Sequence, residues 1–337
     1  MKINILVALI FSFSFSTLAE IKKTSAKTDG EAIAVYFEND SRSLGGPGSD
    51  QSYTNGFRAS YIYAENKLPL WAEKPISGLK ILDGTADHSK LNLGISLGHQ
   101  IYTPNNIGES NLIPNDRPYA GWLYLGVAAN IKEEHSAQFF EVDLGIVGPS
   151  ARGREVQNNV HDWISKYRAA GWDHGLKDEF TLQLSYQKRL KIYAQKNFDL
   201  LPYYGMGVGN VLTAIHIGAL GRFGTNLLDD FGPSRPSSND GDSFISPMTA
   251  DHPRKISYYG LFGVRTNLIA RSIFIDGNTF QSSHRVTRIP LTFDTELGFG
   301  VQILPFNIVW RFVTRSPEFE ERKTFVSFAS LNLVYFL

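Results

Sequence analysis

From Leu291 to Ile303 the chain alternates with a period of two. Leu291, Phe293, Leu297, Phe299, Val301 and Ile303 fall on one side, broken only by Thr295. Thr292, Asp294, Glu296, Gly298, Gly300 and Gln302 fall on the other. Period two is the repeat of a β-strand, whose successive side chains point to opposite faces. The run is far longer than an ordinary strand of about 5–6 residues, and long enough to cross a bilayer at a tilt, which takes about 9–11. Shorter copies recur at Leu91, Leu93, Ile95, Leu97 and at Phe180, Leu182, Leu184, Tyr186. The chain ends Leu331-Asn332-Leu333-Val334-Tyr335-Phe336-Leu337, one more alternating run with an aromatic near its end.

Alternation alone does not separate a lipid-facing apolar side from the inner side of a soluble sandwich. Composition favours the first. The chain carries 23 Phe, 15 Tyr, 5 Trp and 30 Gly and no Cys, so no disulfide framework is available to it. Its 33 basic and 33 acidic residues balance, which argues against a nucleic-acid partner. Residues 1–19 read as a secretory signal peptide: Met1-Lys2, an apolar run from Ile3 to Phe15, then Thr17-Leu18-Ala19. Residues 20–337 hold no later apolar run of about 18 residues, so a spanning helix is not predicted. Exported, aromatic-rich, glycine-rich and cysteine-free is the profile of an outer-membrane barrel.

The predicted fold is all-β: a single-chain, 12-stranded antiparallel transmembrane β-barrel with a short helix in an outer loop near 153–170. Turn signals place strands near 31–40, 53–64, 90–102, 119–131, 136–147 and 178–192, then 198–214, 255–269, 272–281, 287–304, 307–316 and 323–337. With the first strand running outward, the loops 41–52, 103–118, 148–177, 215–254, 282–286 and 317–322 fall on the outer side. The connection 215–254, rich in Pro, Ser, Asn and Asp, is predicted to be mobile.

This parity gathers polar residues at one rim. Phe37-Glu38-Asn39-Asp40 and Tyr53-Thr54-Asn55-Gly56 lie near one hairpin tip. Asn39, Asp40 and Thr54 offer oxygen donors that suit Ca²⁺ better than zinc, although without EF-hand spacing. Asp116-Arg117-Pro118-Tyr119-Ala120-Gly121-Trp122 opens the fourth strand. There Arg117 can meet a phosphate through paired donors, or pair with Asp116, and Tyr119 and Trp122 suit a membrane interface. Arg154 to Trp163 lacks the period-two pattern and reads as a short helix with Gln157 and His161 on one face. Trp163 and Ile164 are predicted to pack on the barrel. A rim histidine is a candidate general base, and equally a surface residue without a role. No Gly-x-Ser-x-Gly elbow appears, which argues against an α/β serine hydrolase.

Phe37 to Asp40, Asp50 to Gly56, Asp116 to Trp122 and Gly148 to His161 together resemble the outer-membrane lipid A 3′-O-deacylases, in order and spacing over nearly the whole mature chain. That resemblance implies a twelve-stranded barrel with its site between the barrel wall and an outer-loop helix, on the outer-leaflet side of the outer membrane. It implies Ca²⁺-dependent hydrolysis of the ester-linked 3′ acyloxyacyl chain of lipid A, and hence lipopolysaccharide and outer-membrane lipid as partners of a monomer. His161 would be the base that activates water and Gln157 would orient the site. Asn39, Asp40 and Thr54 would form its polar wall, with Asp40, Asn39 and Asp50 as metal candidates. Arg117 and Tyr119 would contact substrate. A non-enzymatic pore or adhesin, motivated by the inward Asp294, Glu296 and Gln302, and an outer-membrane phospholipase are the competing readings.

Overall fold

The computed structural model describes residues 31–40, 52–72, 90–227, 230–235 and 256–337. Asp50 and the proposed signal peptide lie outside the described residues. The strands are β1 (Ala32–Asn39), β2 (Ser52–Ile62), β3 (Lys90–Thr103), β4 (Ala120–Lys132), β5 (Ser136–Val147) and β6 (Glu179–Leu190). Then come the three-residue β7 (Tyr193–Gln195), β8 (Phe198–Gly209), β9 (Leu212–Thr225), β10 (Ser257–Ser272), β11 (Leu291–Ile303), β12 (Phe306–Arg315) and β13 (Val326–Phe336). Two helices matter: α1 (Gly153–Trp163) and the single turn α2 (Ile273–Asp276).

Every pairing is antiparallel. β1 pairs with β13, Ala32 opposite Phe336, and β6 pairs with β8, Arg189 opposite Tyr203, so the sheet closes on itself. β7 pairs only with β8 and adds no wall, leaving a ring of twelve strands. Closure removes the free sheet edges that an apolar environment cannot tolerate.

Burial is inverted relative to a soluble protein. On β11 Leu297 is 62% exposed and Phe299 52%, while Asp294 is 1% and Glu296 6% exposed. The apolar side therefore faces outward and the charged side inward, the arrangement of a barrel in lipid. No helix among the described residues is long and apolar enough to cross a membrane.

The lumen is packed with paired charges. Arg311 meets Glu296 at 2.9 Å, Arg315 meets Asp294 at 2.9 Å, and Arg235 also pairs with Asp294. Arg58 pairs with Glu141, and Arg222 reaches Asp230 at 2.6 Å. Burying a charge is costly unless it is paired, and these pairs meet that requirement.

Two sequence expectations are corrected. The span 198–214 is two strands joined at Asn210-Val211, and 272–281 is not a strand. Ile273, Phe274 and Ile275 are all buried, 0–4% exposed, so this apolar triplet plugs the mouth as a helical turn instead of alternating. The strand count is unchanged because one error cancels the other. The direction of 255–269 is not: β10 runs toward the end that carries α1, here called the mouth. The connection after β9 consequently lies at the opposite end, the base, and not on the outer side. Its described part folds into the lumen. Arg189 Nη1 donates to Phe231 O at 2.6 Å, Asn332 Nδ2 donates to Ser234 O at 2.9 Å, and Tyr36 Oη lies 3.1 Å from Ser234 Oγ. Residues 230–235 are thus a packed inner plug and not a mobile outer loop.

Candidate functional site

A bulge begins the site. β2 and β3 keep register from Ile62 to Asn55, then slip between Asn55 and Tyr53. A bulge inserts one unpaired residue and re-aims side chains. Here Tyr53 turns inward and donates to Glu38 Oε2 at 2.6 Å. A Cβ on Gly56 would lie 1.8 Å from the same Tyr53 hydroxyl, so Gly56 shares the inward face and has no room for a side chain. Thr54 is the extra residue and faces the other way. Its Oγ1 lies 2.6 Å from Oγ1 of Thr103, the outward neighbour of the inward Tyr102. Asn39 and Asp40 join it from β1: Asn39 Nδ2 and Asp40 N both donate to Thr54 O, each at 3.2 Å. Asp40 is 1% exposed and Thr54 2%.

The second group comes from the long connection between β5 and β6. A 3₁₀ turn, Pro149–Ala151, and a left-handed Arg152 (φ 60°) lead into α1. The helix lies on the outward side of the wall. His99, on β3, donates from Nε2 to Ala151 O at 2.8 Å. Gly121 of β4 meets Gly153 of α1 with no side chain between them; a Cβ at Gly121 would lie 3.1 Å from both N and Cα of Gly153. A side chain at Gly121 would fit only if the backbone of α1 gave way by a few tenths of an ångström.

Gly153, Gln157 and His161, spaced four apart, form the buried face of α1. His161 is 3% exposed, and its Nδ1 lies 2.7 Å from the carbonyl oxygen of Tyr167. A carbonyl only accepts, so Nδ1 carries the proton and Nε2 is the basic nitrogen of the neutral ring. Gln157 Oε1 accepts from Trp172 Nε1 at 2.9 Å, and Gln157 Nε2 is buried without a hydrogen-bond partner among the described residues. Trp172 packs on Tyr119 with ring centroids 5.0 Å apart, and both join Ile101, Ile107 and Ala169 in one apolar cluster. Ile101 and Thr103 are both outward on β3. The Thr54 corner and the Gln157–His161 face therefore flank one stretch of the same strand. Trp172 and Thr103, which join the two, carry no sequence motif of their own; the bulge and the chain reversal after α1 bring them in.

Other candidates are placed elsewhere. Trp163 and Ile164 are 65% and 48% exposed and do not pack on the barrel. Trp122 is fully buried in the lumen, donating to Thr181 Oγ1 at 2.9 Å, and does not meet a membrane interface. Tyr119 is also buried, 4% exposed, with its hydroxyl on Ile107 O at 3.3 Å. Arg117 is 1% exposed and pairs with Glu318 at 2.6 Å, between the rings of Tyr102 and Phe319. Asp116 receives the backbone N–H groups of Asn105 and Arg117, each at 2.8 Å. Arg117 thus braces the mouth through Glu318, and Tyr119 braces the loop at Ile107.

The donors at the first corner are the Asp40 carboxylate, the Asn39 amide oxygen and the Thr54 and Thr103 hydroxyls. Hard oxygens of this kind suit Ca²⁺. Among the described residues no three His, Cys, Asp or Glu side chains converge as a metal cluster. A cation here would complete its shell with backbone carbonyls and water.

Comparison with known proteins decides the family. The sequence pattern described as "Outer membrane protein LpxR" matches residues 5–337. The chain belongs to the LpxR family. Among solved structures it is similar to LpxR from Salmonella typhimurium, with TM-score 0.72 and 18% identity, over 91% of this chain and all (100%) of that one. The β domain of the Bordetella autotransporter BrkA follows at TM-score 0.46 and 11% identity, over 91% of this chain and 99% of that one. No curated protein matches the chain. Membership places this LpxR-family chain in the outer membrane as a closed twelve-stranded barrel.

Proposed function

We propose that this protein hydrolyses the ester holding the 3′ acyloxyacyl chain of lipid A, in the outer leaflet, with His161 as general base. Family membership supports the substrate class. The observation that carries the mechanism is the Nδ1 contact of His161 to Tyr167 O at 2.7 Å. It sets the tautomer so that Nε2 can take a proton from water inside a buried crevice. The hydroxide formed attacks the ester carbonyl carbon, and the proton is returned to the departing alkoxide, giving a free acid and an alcohol. General-base help of this kind contributes roughly 10²–10⁴-fold.

Gln157 presents Nε2 as a donor for the attacking water or the carbonyl oxygen, since its Oε1 is engaged by Trp172. Thr54 and Thr103 line the opposite side. A Ca²⁺ ion held by Asp40 and Asn39 would polarise the carbonyl as a Lewis acid. Asp50 is a further metal candidate of this proposal. Arg117 and Tyr119 remain the substrate-contact candidates of this proposal: Arg117 Nη2 is held by Glu318, while its Nε and Nη1 are buried without a hydrogen-bond partner among the described residues. All these groups come from one chain, so a monomer suffices.

The test is release of fatty acid from lipid A by the purified barrel in detergent, with Ca²⁺ and with a chelator. Hydrolysis that requires Ca²⁺ supports the reading. Preference for phospholipid over lipid A would replace it with a phospholipase.

A further inference from the structure

Helix α1 has three faces. Gly153, Gln157 and His161 meet the wall. Arg154, Glu155, Asn158, Asn159 and Asp162 form a polar face. Between them on one flank lie Val156, Val160 and Trp163, which are 38%, 46% and 65% exposed. Ile164 continues this flank past the last turn and is 48% exposed. An apolar flank this open, on a helix whose other exposed face is charged, has the pattern of an element that lies in a membrane interface.

Its position agrees with that pattern. Gly121, where α1 touches the wall, is two residues beyond Leu123 on β4, and Leu123 stands opposite Ile146, which stands opposite Phe180. Phe180 is outward and 84% exposed. At about 3.3 Å per residue the seat of the helix is only about 7 Å along the wall from that apolar level. The lipid-facing band of β4, β5 and β6 therefore reaches to within about two residues of the seat of α1.

We propose that α1 is a membrane-embedded element: Val156, Val160 and Trp163 sit in the acyl-chain layer of the surrounding bilayer. Trp163, an aromatic with a polar N–H, is of the type that settles at such a boundary. The inference rests on the barrel's place in a membrane and is independent of the hydrolysis proposed above.

The chain has no cysteine, so single labels can be placed without further substitution. The full-length protein is prepared as Val160→Cys and, on the polar face, Asn159→Cys. Each is labelled with an environment-sensitive fluorophore, checked for the compact gel migration of a folded barrel, and reconstituted in phospholipid vesicles. The label at position 160 is expected to emit at shorter wavelength and to be quenched several-fold more by lipid carrying a chain-borne nitroxide than by iodide. The label at position 159 is expected to show the reverse. Equal iodide quenching at both positions overturns the proposal. A label at 160 shielded from both quenchers also overturns it, in favour of a protein covering this flank.

Discussion

The indole Nε1 of Trp172 donates to Oε1 of Gln157 at 2.9 Å, which leaves the amide nitrogen of Gln157 as a buried donor without a hydrogen-bond partner among the described residues. An amide can present either end, and this one contact selects the donor end. Trp172→Phe keeps a ring against Tyr119 but removes the N–H. The loss of one such bond is worth about 0.5–1.5 kcal/mol, so turnover should fall up to roughly tenfold, with KM little changed. Steady-state kinetics on the folded variant check this. An unchanged kcat would mean that the orientation of Gln157 has no part in the reaction.

Gly121→Val tests the seat of the helix. The added Cβ would lie 3.1 Å from N and Cα of Gly153, so α1 must lift from the wall. A displacement approaching 1 Å can cost about 10²-fold in rate. Activity should drop by tens to a hundredfold, while the gel mobility of the barrel stays that of the parent.

The lumen yields a stability prediction. Asp294 is 1% exposed, holds Arg315 at 2.9 Å and also pairs with Arg235 of the inner plug. Asp294→Asn removes the counter-charge that Arg235 and Arg315 share, leaving Arg315 only Glu318 at 3.5 Å, and loss of such a buried partner costs about 3–5 kcal/mol. The urea midpoint for unfolding from lipid should fall well below that of the parent. Asp294→Glu, which keeps the charge, should recover most of it.

The same plug bears on the pore reading. Phe231 is 4% exposed and packs on Ala137 and Phe139, and Arg189 grips its carbonyl at 2.6 Å. Intact protein in planar bilayers should show no steady conductance, and deletion of residues 230–235 should produce discrete openings. A steady open channel in the intact protein would restore the pore as a function.

Much of this fold is legible in the sequence because a lipid-facing strand tends to alternate along its length, as β11 does apart from Thr295; β13 is less regular, with Val326, Phe328, Val334 and Phe336 buried on its inward face. The alternation fails as a guide where a turn is very short. Met206, Val208 and Leu212 keep an even spacing across the two-residue link Asn210-Val211, so two strands read as one. Ile273 and Ile275 mimic a strand although Phe274 between them is buried as well. One misread reversal then puts a whole connection at the wrong end, which is why the plug was invisible. At the site, the shared face of Gln157 and His161 follows from their spacing. Thr54's outward turn does not, because it depends on a bulge that no local pattern announces. Arg117 reads as a surface cation until Glu318, two hundred residues away in the chain, is brought beside it.

The most direct test of the central claim is the mass of lipid A extracted from cells that make this protein or its His161→Ala variant. The parent should give lipid A lighter by one 3′ acyloxyacyl group. The variant, folded and present in equal amount, should leave lipid A unchanged. Full-length lipid A in both strains, or equal shortening in both, would contradict a His161-dependent deacylase.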